Sequence, residues 1–150
     1  MAKSWKEKFL NPPAPEVKET EKPFAGIPGN SMMLIPTPQI IADYVEHIPL
    51  GQEGNVITMR EDFARTYHAE WTCPLTTGIF LRIAAEKAWE EYQAGKSLND
   101  ITPFWRIVLP GTPLANKLAC GEAFIIQQRK AEGLSIAELK IKSKRITKTN

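Results

Sequence analysis

The sequence predicts a mainly α-helical domain with a small β element, and three observations point there. Two helix starts carry capping chemistry, at Thr37-Pro38 and at Thr58-Met-Arg-Glu61. One long helix is bounded by Cys73-Pro74 at its start and Gly95 at its end. The remaining apolar runs, such as Met32-Met-Leu-Ile35, have only the length of a strand. A helix, a short helix, a turn, a long helix and then an extended segment is the order of a helix-turn-helix or winged-helix module.

Taken in order, residues 1–31 read as an extended, proline-rich arm. Asn11-Pro-Pro-Ala-Pro-Glu16 removes backbone donors, and the flanking Lys and Glu residues show no apolar periodicity. Trp5, Phe9 and Leu10 remain able to dock on the body. Residues 32–134 form the domain. In its first helix Ile40, Ile41, Tyr44, Val45 and Ile48 share one stripe, with Asp43, Glu46 and His47 facing out and Pro49 and Gly51 ending it. The capping box at Thr58 starts a second helix running to about Tyr67.

The long helix has two unlike halves. Leu75, Ile79, Phe80, Leu81 and Ile83 surround the first half on nearly every side, so it must be buried or lie against a partner. In the second half Glu86, Lys87, Glu90 and Glu91 share a solvated side, opposite Ala84, Ala85, Ala88, Trp89 and Tyr92. Ile101-Thr-Pro-Phe-Trp-Arg-Ile-Val-Leu-Pro-Gly111 then reads as a stiff extended segment. Pro110-Gly-Thr-Pro113 is a turn, and a last helix runs from about Gly121 to Gly133. Residues 135–150 are a basic tail, in which Leu139-Lys-Ile-Lys alternates as an edge strand or a disordered end does.

Composition narrows the function less than charge placement does. A chain of 150 residues with 43% hydrophobic residues can bury a real core, and its net charge of +2 says little about partners. From Leu134 onward, however, Lys140, Lys142, Lys144, Arg145 and Lys148 face only Glu138. Two cysteines make no disulfide framework, and no signal-like or membrane-spanning run is seen, so a cytoplasmic protein is expected. No phosphate-binding glycine loop or paired-carboxylate signature appears, and no cofactor is implied. In a helix-turn-helix geometry the base-contacting positions fall near the start of the second helix, at Thr76, Thr77 and Arg82. The acidic second half would repel phosphates.

From about Ile35 to Gly133 the chain resembles the DNA-binding domain of alkylguanine-DNA alkyltransferases. Ile48-Pro-Leu-Gly51 before Val56-Ile-Thr58 matches the approach to that family's helix-turn-helix, Pro103-Phe-Trp-Arg-Ile-Val108 its active-site strand, and Gly111, Asn116, Gly121 and Glu132-Gly133 its closing pattern. Cys73-Pro-Leu-Thr-Thr-Gly78 together with Ile101-Thr-Pro-Phe-Trp-Arg106 is similar to a bacterial branch grouped with these proteins. The resemblance implies a winged-helix-like domain of alkyltransferase type that binds double-stranded DNA, with a repair protein as a possible partner. In the enzymes a cysteine accepts an alkyl group from guanine beside an activating histidine; here those positions are Phe104 and Trp105, and transfer there is excluded. Alkyltransferase-like proteins also lack the cysteine and bind damaged DNA without repairing it. Their first-helix tyrosine corresponds to Met59, and Arg82 is the nearest candidate for their intercalating arginine.

Three functional classes follow. A non-catalytic DNA-binding module would stack an extruded base on Phe104 and Trp105, contact phosphate through Arg106, and use Lys142 and Arg145 for general affinity. Core packing of both rings, and hydrogen bonds from Arg106 to backbone carbonyls, are the plain alternatives. A thiol enzyme would be built on Cys73, at a helix N-terminus. A protein-interaction scaffold would have kept the fold and lost DNA. A zinc site from His47, His68, Cys73 and Cys120 has no ligand-pair spacing to support it.

Overall fold

Met32–Ile35, an apolar run short enough for either a strand or a buried lead-in, is the middle strand of a small sheet. The computed structural model describes residues 3–136. This strand, β2, pairs antiparallel with β1 (Glu16–Glu19) and parallel with β3 (Trp71–Thr72). The arm expected over residues 1–31 is corrected here: β1 belongs to the sheet, and Thr20 is buried, its hydroxyl donating to Pro28 O at 2.8 Å. Upstream, α1 (Trp5–Phe9) is closed by a capping box between Ser4 and Glu7 and packs on the long helix.

About half of the described residues are helical, so the mainly α class with a small sheet holds. Thr37 caps α2 (Pro38–Glu46) by accepting from Ile40 N at 3.1 Å, and Ile41 and Val45 are wholly buried beneath it. The next helix starts earlier than its apparent capping box. Asn55 caps α3 (Val56–Thr66), its side-chain oxygen accepting from Thr58 N at 3.0 Å, which places Thr58 inside the first turn. Cys73 and Pro74 begin α4 (Pro74–Gln93) as expected, and Gly95 follows it at φ +110°, a conformation that other residues resist.

Beyond α4 the chain departs from expectation. Leu98–Asp100 and Phe104–Arg106 are single 3₁₀ turns, and Pro113–Lys117 forms a short helix, α5, capped by Thr112. The last helix, α6, spans Glu122–Ala131. Phe104–Arg106 was expected to be extended. An extended segment sends successive side chains to opposite faces, which would leave one of the two rings in water. The 3₁₀ turn instead puts both inside, with Arg106 N donating to Pro103 O at 3.0 Å. The core lies between α2, α4, this turn and α6.

Gly78 sits within α4, where glycine costs about 1 kcal/mol relative to alanine. A Cβ added there would meet nothing within 4 Å. Gly78→Ala should therefore raise the melting temperature by about 3–5 °C in a thermal scan. An unchanged or lower value would show that the fold itself requires the glycine.

Candidate functional site

After Pro103 the chain turns so that Trp105 and Arg106 converge on one carboxylate while Phe104 packs among aromatic rings. Phe104 is wholly buried and Trp105 is 3% exposed. Phe104 meets Trp105 edge-on at 5.4 Å between ring centroids, and both pack on Phe124 of α6, at 6.1 and 6.0 Å. The indole N–H donates to Glu132 Oε2 at 2.8 Å. Arg106 Nε donates to Glu132 Oε1 at 2.8 Å, and its Nη1 donates to Ile48 O at 2.7 Å. Burial alone would raise the Glu132 carboxyl, but hydrogen bonds from Arg106, Trp105 and Gly51 N outweigh it and hold the group below its usual value.

This geometry corrects the base-stacking assignment. Neither Phe104 nor Trp105 presents a face to a nucleic acid, and Arg106, 13% exposed and paired with Glu132, is tied to the protein rather than aimed at phosphate. Chemically the position is inert. A phenyl ring has no nucleophilic atom, and an indole N–H donates but takes no proton at neutral pH. Beside it lies a polar cleft of about 460 Å³ whose wall includes Glu46, Asp100 and Gln128.

Arg129 supports the same turn from below. Its side chain is fully buried, donating to Trp105 O at 2.8 Å and to Ser135 O at 2.7 Å, and it pairs with Glu53. Burial lowers its pKa while Glu53 opposes that shift. The route by which the chain leaves α6 is thus fixed to the Phe-Trp-Arg turn.

The start of α4 also differs from its expected role. Thr77 is fully buried and donates to Cys73 O at 2.6 Å, which removes it from any groove. Thr76 is half-buried, and its hydroxyl oxygen is shielded. Arg82 is turned along the protein: it pairs with Glu86 at 3.5 Å, reaches Lys117 O at 3.4 Å, and lies 5.3 Å from the Trp5 ring. What the first half of α4 shows to solvent is Leu75 and Ile79, 56% and 49% exposed, with Gly78 between them. The first half of the helix is therefore not covered on every side. Glu86, expected in solvent, is buried and accepts from Ala119 N at 3.2 Å, so it ties α4 to the segment after α5.

The thiol candidate, Cys73, is closed off from solvent. Cys73 is 2% exposed, and its sulfur accepts from Thr76 N at 3.5 Å as a helix cap. Burial, with Glu86 nearby, pushes the Cys120 thiol up to about 11. The zinc candidates are not brought together: among the described residues no three His, Cys, Asp or Glu side chains are placed to hold a metal ion. Lys142 and Arg145 lie outside the described residues, as does the alternation from Leu139. Glu132 appeared in the sequence only as half of a closing dipeptide. The signal for its role was a requirement: a core holding a Trp N–H and an Arg needs an acceptor.

Mainly helical, with an aromatic turn locked onto a carboxylate, the protein belongs in class to the small α domains that carry a minor sheet. No family model, curated protein or solved structure matches the chain. Among the described residues no helix is long and apolar enough to cross a membrane.

Proposed function

We propose that this chain is a non-catalytic, alkyltransferase-like domain of helix-turn-helix type that binds double-stranded DNA without reacting with it. The observation that carries this reading is the Phe-Trp-Arg turn, where a buried phenyl ring and a carboxylate-bound indole stand in place of a nucleophile and its base. The succession of α3, β3 and α4 supplies the helix pair, and the resemblance supplies the ligand. Affinity comes chiefly from the chain end. Five of the 19 Lys and Arg but only one of the 17 Asp and Glu lie beyond residue 136, so the end carries +4 and the described part −2. Base sensing by Phe104 and Trp105 is not part of this proposal. Two unpaired cysteines suit the cytoplasm.

The test is fluorescence anisotropy of a labelled duplex across a salt series. With about four phosphates neutralised, log K should fall with a slope near −3.6 against log salt. Lys142→Ala and Arg145→Ala should each flatten that slope by about 0.9 on every sequence tried. Absence of binding at low salt would overturn the DNA reading. It would leave a protein-interaction scaffold, which the exposure of Leu75 and Ile79 favours as the second reading.

A further inference from the structure

An apolar groove of about 580 Å³ runs between α1, the first half of α4 and α5. Its floor is Leu75, Gly78, Ile79 and Leu114, and Trp5 forms one wall. Leu75 and Ile79 are among the more exposed large apolar side chains of the described residues, and they stand one helical turn apart. Gly78 lowers the ridge between them, and a Cβ there would enter open space. The rim is cationic. Lys8 on α1, Arg82 on α4 and Lys117 on α5 come from three separate elements, and among the described residues no carboxylate lines the groove. Arg82 is partly offset by Glu86, which is itself buried.

We infer that this groove docks an acidic amphipathic helix of a partner protein, with apolar side chains between Leu75 and Ile79 and carboxylates toward Lys8, Arg82 and Lys117. A helix laid in a groove recognises its partner through anchors three and four residues apart, which fits two contact points one turn apart. Charge selects the occupant. The chain's own end is basic, like the rim, and a second copy seated symmetrically would set rim against rim. DNA would leave the two apolar side chains without partners, because its surface is polar and charged. The inference goes beyond DNA binding and stands or falls apart from it.

The full chain, labelled with ¹⁵N, is titrated with a synthetic helical peptide bearing a leucine stripe flanked by glutamates, and with the same peptide carrying lysines instead. Shifts are expected at the Gly78 and Ile79 amides and the Trp5 indole, with a dissociation constant in the micromolar range and at least tenfold weaker binding of the lysine peptide. Ile79→Asp, at an exposed position, should weaken the glutamate peptide at least tenfold while leaving the spectrum folded. Equal affinity for both peptides, no shifts at millimolar peptide, or shifts away from the groove would overturn the assignment. So would self-association abolished by Ile79→Asp. Duplex affinity measured by anisotropy reports separately on the DNA proposal.

Discussion

Glu132→Ala is expected to cost the domain about 3–5 kcal/mol of unfolding free energy, the usual penalty for stripping one partner from a buried ion pair. The Glu132 and Arg106 side chains are 10% and 13% exposed, so the guanidinium left behind would be poorly solvated. The Trp105 N–H would lose its acceptor as well. Urea denaturation measures this, and a variant within about 1 kcal/mol of the parent would refute the role given to the carboxylate. The pH dependence has a definite sign. Because the folded-state pKa of Glu132 is lowered, its contribution is fully present above the unfolded value of about 4.3 and is lost as pH falls through the folded value. Glu132→Gln should therefore have a flatter stability profile on the acid side than the parent.

Phe104→Ala and Trp105→Ala should each cost about 3–5 kcal/mol, since each opens a cavity in an interior that relaxes only in part. If Trp105 stacked an extruded base, Trp105→Ala would selectively lose preference for altered bases. With the ring packed against Phe104 and Phe124, general destabilisation is expected instead. Trp105→Phe keeps most of the ring but removes the donor to Glu132, and should cost about 1–2 kcal/mol. Melting curves of the three variants distinguish the packing contribution from the hydrogen bond. A Trp105→Ala protein as stable as the parent, with altered base preference, would restore the stacking role.

Local chemistry made part of this fold legible. Thr37-Pro38 and Cys73-Pro74 mark helix starts because the cap and the proline act within one turn, and both helices begin there. Thr58 misled for a related reason: Asn55 stands one turn earlier and takes the Thr58 N–H, so the apparent capping box lies inside α3. Strand β1 was hidden because Glu16–Glu19 carries Val17 as its single apolar residue, and its pairing with β2 is set across a long loop. The Phe-Trp-Arg turn was found as the place that matters but was given the wrong backbone. The side chains it turns inward rely on an acceptor, Glu132, that lies far along the chain. The groove had half a signal. The apolar surround of early α4 demanded burial or a partner, whereas Trp5, Lys8 and Lys117 reach it only through tertiary packing.

The proposal of binding without reaction meets its most direct test in intact-mass spectrometry after incubation with a duplex containing methylated guanine. A polypeptide of unchanged mass, recovered from a complex that forms at low salt, is the predicted result. A protein carrying the transferred methyl group would contradict the account.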